Sequence, residues 1–285
     1  MAPVYVLFAL LGLALGSFGN VLILRIRTAE TLGGRSHCPH CMKTIAWFDL
    51  FPLLSFLLLG GRCRHCRKTI SLQYPLVECA SMLVFLLGIV LTPLDPFHAL
   101  VTAFALYFLL LACVYDGMFQ QIPDIFTICF ALVVLADVWL LGDIGLRNAE
   151  PLYSAWEAPT WMGAAGRYVY LLLIGPAYSS RIELHTLGAM IPFAWFGLQW
   201  LVSRGKAVGT GDIFLGTAIG FWLGVQGSVV MLVLSYMVGA VVTLLLLITK
   251  TISLKRQRIP FGPFMGIATV LTVLGAGDLY LSLLR

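Results

Sequence analysis

The chain has 285 residues, of which 60% are hydrophobic and 11% charged, and its mean hydropathy is +0.96. Those values exclude a water-soluble globular domain and leave an all-α polytopic membrane protein. The formal net charge of +5 does not point to nucleic acid, because the cations flank apolar runs instead of forming a patch.

A bilayer crossing needs roughly 17–25 apolar residues. The first such run, Val4–Leu24, has no basic leader before it and no small-residue cleavage site after it, so it reads as a retained span. The next are Val77–Thr92, Phe97–Tyr115, Ile122–Leu141, Leu184–Val202, Ile213–Val225, Val229–Thr249 and Phe261–Leu284, for a total of about eight transmembrane helices. Ile213–Val225 is short. It crosses only if polar neighbours such as Asp212 and Gln226-Gly227-Ser228 are partly included, or if protein shields it.

Between the first two spans, residues 26–76 carry Cys38-Pro39-His40-Cys41 and Cys63-Arg64-His65-Cys66. Two CxxC pairs at this separation resemble zinc-ribbon spacing, each turn presenting two thiolates to one metal. A redox role suits a single CxxC better than a matched pair, and a closed four-sulfur site is structural because it leaves no open coordination position. Arg62, Arg64, Arg67 and Lys68 crowd the second pair and favour thiolates. His40 and His65 read as surface residues, although either could replace a ligand. The apolar stretch Trp47–Leu59 contains Asp49 and Pro52 and is too short and broken to span. It is expected to lie on the membrane surface, or to pack on the bundle and pin the metal module. Cys79, Cys113 and Cys129 fall in spans and read as small apolar packers.

Two aspartates stand out. Asp116 follows the third span, and Asp212 closes Gly209-Thr210-Gly211-Asp212 at the start of the sixth. Ionisable groups at membrane spans are costly and by default suggest function. Two carboxylates brought together there suggest an aspartic protease, in which one acts as acid and the other as base on a water. Gly209 and Gly211 would let backbone approach a substrate strand. The plainer alternatives are a solvated loop acid for Asp116 and a helix cap for Asp212. Asp124 is the rival for the first position, but following Pro123 and opening a span it suits a helix start better. Glu78 opens the second span, where a helix-start acid and a functional one are equally good readings.

The orientation follows from Lys and Arg. With the N-terminus outside, 14 of the 18 cations fall on the inner side, and both aspartates come to the cytoplasmic end of their spans. Residues 142–183 then form an outer-side insertion. Its apolar core Tyr168–Ile174 is too short to cross, and it reads as a tolerated loop.

Six ordered segments resemble the bacterial type IV prepilin peptidases, which process prepilins and the pseudopilins of type II secretion. They are Gly16-Ser17-Phe18-Gly19-Asn20-Val21 with Arg25, the paired cysteines of Cys38–Cys66, Tyr74-Pro75-Leu76-Val77-Glu78, Asp116 with Ile122-Pro123-Asp124, Gly209–Asp212, and Pro260-Phe261-Gly262-Pro263-Phe264. The resemblance implies a GxGD membrane aspartic protease of the bacterial cytoplasmic (inner) membrane. Such an enzyme removes a short basic leader at the cytoplasmic face and then methylates the new N-terminus from S-adenosylmethionine. It implies Asp116 and Asp212 as the catalytic pair, with Gly209, Gly211 and Asp124 in the supporting loop, and structural zinc on Cys38, Cys41, Cys63 and Cys66. No nucleotide-binding GxGxxG follows a strand, so methylation rests on the resemblance, with its site expected near Asn20, Arg25 and Glu78. The expected organisation is a first transmembrane segment (1–25), a metal-binding module (26–76) and a peptidase domain (77–285). The expected partners are prepilin or pseudopilin substrates and the lipid bilayer.

The chain departs from the family pattern at Phe214, where Lys is usual, at Leu50, where many relatives carry Asn, and in the length of the 142–183 insertion. None of these removes a carboxylate of the pair. Two other classes compete: a cation transporter or metal-handling protein, and a non-catalytic pilus assembly platform. Against the transporter, the carboxylates lie at one membrane end and no inverted repeat is apparent.

Overall fold

The computed structural model describes residues 2–31, 33–92, 95–141, 181–249 and 259–275. The outer insertion expected at 142–183 therefore lies outside the described residues, except for its last three. The described residues form helices α1 (Ala2–Thr28), α2 (Leu54–Leu58), α3 (Gln73–Leu91), α4 (Pro96–Phe119), α5 (Asp124–Ala136), α6 (Arg181–Ser203), α7 (Thr210–Ile248) and α8 (Gly262–Val273). Five of them, α1, α3, α4, α6 and α7, are long and apolar enough to cross a membrane. The chain divides into two compact units on either side of Leu111/Ala112.

In the first unit α1 and α3 cross closely. A Cβ at Gly12 would lie 2.7 Å from the Met82 Cα, and one at Gly16 would lie 2.7 Å from the Glu78 Cα. Glycines four apart on one helix face let two backbones touch, which is how helices associate where lipid supplies no hydrophobic drive. The expected span Val77–Thr92 gains a turn at its start and becomes the 19-residue α3. Asp95 starts α4: its Oδ1 accepts the Phe97 and His98 N–H groups at 3.0 and 3.2 Å, while Pro96 needs no partner. Phe85 is fully buried against Phe8, Phe104 and Tyr107, and the Tyr107 hydroxyl donates to the Leu15 carbonyl at 2.7 Å.

The segment Trp47–Leu59 does not span. It forms a short 3-10 turn, Trp47–Leu50, followed by α2. Trp47, Phe51, Leu57 and Leu58 are all more than half exposed, while the Leu53 N–H of the same segment donates to Glu78 Oε2 on α3 at 2.8 Å.

In the second unit α5 continues into a single π-helical turn, Asp137–Leu141. α7 has 39 residues, about 58 Å at 1.5 Å per residue, twice the ~30 Å hydrocarbon core. It is two spans in one, broken at Gly224, whose φ of 68° and ψ of −173° belong to a region that only glycine occupies readily. This corresponds to the separate sixth and seventh spans expected from sequence. The Ser228 hydroxyl has one proton to donate and lies 2.6 Å from the Gly224 carbonyl at the break and 2.8 Å from the Gly188 carbonyl on α6. At Gly188 a Cβ would stand 2.6 Å from the Gly220 carbonyl, so α6 and α7 also meet backbone to backbone. The last expected span, Phe261–Leu284, is described as far as residue 275, and α8 accounts for that part.

Candidate functional site

Asp116 sits in the last turn of α4, just before the link to α5 turns away through Gln120 and Ile122-Pro123. Its side chain is buried. Oδ2 accepts the Gly262 N–H at 2.9 Å, so the carboxylate faces the N-terminus of α8. The carbonyl of the same Gly262 accepts from Cys113 Sγ at 3.2 Å. One residue of the Pro260–Phe264 segment is thus held by two side chains one turn apart on α4. Both contacts depend on small residues. A Cβ at Gly262 would lie 2.8 Å from Asp116 Oδ2, and one at Gly266 would lie 2.5 Å from Cys113 Sγ.

Asp212 lies in the first turn of α7, half-buried, and its Oδ2 accepts the Gly209 N–H at 3.0 Å. That is one arm of a capping box, so the helix-cap alternative describes part of what this residue does. Gly211 brings the α7 terminus against the α4–α5 link. A Cβ there would meet Ile122 Cβ at 2.9 Å and the Ile122 carbonyl at 3.4 Å. The helix ends that carry Asp116 and Asp212, 96 positions apart in sequence, are thereby joined through the α4–α5 link. Asp124 is the exposed first residue of α5. Phe214 is exposed one turn beyond Gly211 and leaves the carboxylates uncovered by a neighbouring cation at that position.

The four expected metal ligands meet in the first unit. The sulfur atoms of Cys38, Cys41, Cys63 and Cys66 all lie within 4.8 Å of one another, with Cys38 and Cys66 3.9 Å apart. A tetrahedral zinc with ~2.3 Å bonds to sulfur requires sulfurs about 3.8 Å apart, so the donor set fits zinc. Each pair sits in the same small hairpin. Cys38 N–H donates to the Lys43 carbonyl and Cys63 N–H to the Lys68 carbonyl, at 3.0 and 2.9 Å. Met42 and Arg67 take matching positive φ values of 58° and 59°. Isolated bridges pair His37 with Thr44 and Arg62 with Thr69. Behind this symmetry lies a repeat in the sequence, His37-Cys38-Pro39-His40-Cys41-Met42-Lys43-Thr44-Ile45 against Arg62-Cys63-Arg64-His65-Cys66-Arg67-Lys68-Thr69-Ile70. Aligning the chain with itself would have revealed it.

The thiols differ. Backbone N–H groups of Cys66 and His65 pull Cys63 down to about 6. Cys66 stands at about 11: the Lys68 N–H lowers it, but desolvation and the thiols of Cys63, Cys41 and Cys38 outweigh that. Arg64 leaves the cluster to form a two-pronged ion pair with Asp49 at 2.6 and 2.7 Å and to cover the Phe48 ring, which ties the second hairpin to the 3-10 turn. The Arg64 hydrogen bond holds the Asp49 carboxyl below the usual carboxylate range.

Asn20, Arg25 and Glu78 share the end of the first unit next to this module. Asn20 is buried, donates to the Tyr74 and Gly16 carbonyls at 3.1 and 3.3 Å, and accepts from Gln73. Arg25 turns its guanidinium onto the carbonyls of Thr31, Gly33 and Gly34. Glu78 Oε2 accepts the Leu53 N–H at 2.8 Å. Arg25 and Glu78 line a cavity of ≈ 620 Å³ together with Cys38 and Cys63, and Asn20 stands behind its wall through Gln73.

Residues 10–92 match the family model of the bacterial peptidase A24 N-terminal domain. The chain is 31% identical to a type 4 prepilin-like proteins leader peptide-processing enzyme of Escherichia coli O78:H11 (strain H10407 / ETEC), over 92% of this chain and 90% of that protein. It is 31% identical to a prepilin leader peptidase/N-methyltransferase of Dickeya chrysanthemi, over 93% of this chain and 92% of that one. A protein of the same name from Myxococcus xanthus (strain DK1622) is 29% identical over 86% of this chain, which covers 64% of that longer relative. No solved structure matches the chain.

Proposed function

We propose that this chain, which belongs to the prepilin leader peptidase/N-methyltransferase family, removes the leader of type IV prepilins or type II secretion pseudopilins and then methylates the exposed N-terminus. Asp116 and Asp212 are the catalytic pair. The observation that carries this reading is the seat of Gly211 against Ile122, which sets the start of α7 on the link that leaves α4 just after Asp116, with one backbone N–H fixing each carboxylate.

Two carboxylates that work on one water do not readily ionise together, so the working form of the pair holds one proton. The ionised member takes a proton from a water as that water attacks the scissile carbonyl. The protonated member donates to the developing oxyanion. The pair titrates as a unit, so neither aspartate owns one role. Gly209 supplies the N–H that fixes Asp212, Gly211 lets the α7 terminus approach Ile122, and Asp124 acts at the start of α5.

Zinc on the four cysteines fixes the module, and S-adenosylmethionine supplies the methyl group. The enzyme works in the inner membrane with the N-terminus outside and the pair at the cytoplasmic face. A transporter is not favoured, because both carboxylates sit in terminal turns of their helices rather than midway along them.

Co-expression with a prepilin, read by mass spectrometry of the pilin N-terminus, tests the reading. Asp116→Asn and Asp212→Asn should each stop cleavage while insertion and zinc content persist, since acid–base help is worth ~10²–10⁴-fold per group. Asp124→Asn should be milder. Full cleavage by either of the first two variants would overturn the mechanism.

A further inference from the structure

We infer that Trp195, Gln199 and Tyr236 form a ledge beside the carboxylate pair, which holds the substrate's apolar segment extended just past the cleaved bond. This rests on the reading that Asp116 and Asp212 cleave a membrane-inserted leader peptide.

The depth of the ledge follows from how α6 and α7 pack. A Cβ at Gly220 would lie 2.6 Å from Pro192 Cγ, and one at Gly216 would lie 2.7 Å from the Phe196 ring. The two helices therefore run in opposite directions, with Pro192 against Gly220 and Phe196 against Gly216. Four residues further along each helix, Trp200 comes level with Asp212, and Gln199 is its neighbour in the chain. The other carboxylate is reached through Phe261. Its ring lies 5.2 Å from that of Tyr236 and 5.7 Å from that of Phe196, and the next residue, Gly262, gives its N–H to Asp116.

The ledge is polar where lipid is expected. The Tyr236 hydroxyl accepts from Trp195 Nε1 at 3.1 Å and from Gln199 Nε2 at 2.8 Å, and it donates to Gln199 Oε1 at 3.1 Å. Trp195 is 49% and Tyr236 39% exposed, beside the exposed Leu198 and Met237. An aromatic belt at the membrane interface accounts for the two rings but not for the amide bonded to them. Polar side chains on membrane helices point to function. A helix hides its carbonyls in its own hydrogen bonds, so the cleaved bond and its neighbours must unwind to meet the carboxylates. In lipid the freed N–H and C=O groups are costly unless something pairs with them. A glutamine amide offers two N–H donors and two acceptor lone pairs, so Gln199 can pair with a strand and keep Tyr236 as well. Trp195 stands one turn farther from the C-terminus of α6 than Gln199, so the ledge runs from the level of the carboxylates into the span. That direction suits the apolar segment that stays in the membrane, not the basic leader.

The test uses full-length zinc-loaded enzyme in detergent and a synthetic prepilin peptide that includes the apolar segment. Gln199→Leu preserves bulk without the amide, and Tyr236→Phe preserves the ring without the hydroxyl. Each should raise KM ~2–10-fold, the value of one neutral hydrogen bond, with kcat within ~2-fold of wild type. Benzoylphenylalanine placed at Trp195 in the Asp212→Asn enzyme should cross-link to the apolar residues that follow the uncut bond. The same group at Leu132, 61% exposed on α5, should not. Unchanged KM in both variants, a loss confined to kcat, or a cross-link mapped to the basic leader would overturn the ledge. A lowered melting temperature with unchanged KM would assign the cluster to stability and overturn it equally. A wild-type enzyme that leaves the peptide uncut would instead defeat the peptidase reading, and the ledge with it.

Discussion

Gly262→Ala is the sharpest perturbation of the proposed peptidase site, because the added methyl group reaches one catalytic carboxylate directly. Its carbon would lie 2.8 Å from Asp116 Oδ2, 3.2 Å from Cβ and 3.3 Å from Cγ. Gly262 and Met265 are buried, so α8 cannot simply swing away. Either the carboxylate rotates off its N–H partner or the helix terminus moves back. The first option forfeits a charge-assisted hydrogen bond worth about 1.5–3 kcal/mol. The second displaces the pair by a sizeable part of an ångström, and a misplacement of ~1 Å costs ~10²-fold in rate. Overpacking also removes about 1–3 kcal/mol of stability. The expected result is a folded protein with kcat for leader cleavage down ~10²-fold or more and KM little changed, since the methyl group touches the acid and not the peptide channel. Detergent-solubilised enzyme and a synthetic prepilin peptide, followed by liquid chromatography, provide the assay. A Gly262→Ala enzyme with wild-type kcat would refute the idea that the α8 terminus sets the Asp116 geometry.

Gly266→Ala should also impair cleavage, because its new carbon would lie 2.5 Å from Cys113 Sγ. Adding Cys113→Ala should restore part of the loss, and a purely additive double variant would disprove the contact. Chelating the metal should loosen residues 26–76, seen as faster proteolysis there, because metal binding and folding are coupled in so small a module; an unchanged cleavage pattern would refute this. Gly224→Ala should lower thermal stability by the ~1–3 kcal/mol of a strained backbone position, and an unchanged melting temperature in detergent would mean that the break in α7 tolerates a side chain.

The spans were legible in the sequence because a bilayer sets their length and composition, whatever the packing. Their interruptions were less so. The polar run Gln226-Gly227-Ser228 suggested the boundary between the sixth and seventh spans, yet the helix breaks at Gly224. The reason is that a serine hydroxyl inside a membrane helix finds carbonyls to bond. Ser228 lies against three of them, so its polarity is absorbed in place. Only glycine supplies the backbone angles that a break needs. The same distinction separates the parts of the candidate site. The cysteines and Asp212 announce themselves through local spacing. Cys113 does not, because its partner Gly262 is 149 positions away, and a lone cysteine in an apolar run looks like a packer. Asp137 is a second case. It is fully buried and accepts from Trp222 Nε1 at 2.9 Å, 85 positions downstream. A chain of this kind therefore hides its long-range polar contacts behind residues that look apolar or misplaced. Gly262 belongs with them. In sequence it is one glycine among 28, and only the fold gives its N–H and its carbonyl to two side chains of one α4 turn. If that bracket sets the acid, then loss of the Cys113 thiol alone should leave Asp116 bonded and cost cleavage only the ~0.5–1.5 kcal/mol of a neutral hydrogen bond. Cys113→Ala should thus be clearly more active than Gly262→Ala. The opposite ranking would mean that the thiol, and not the glycine N–H, holds the carboxylate in place.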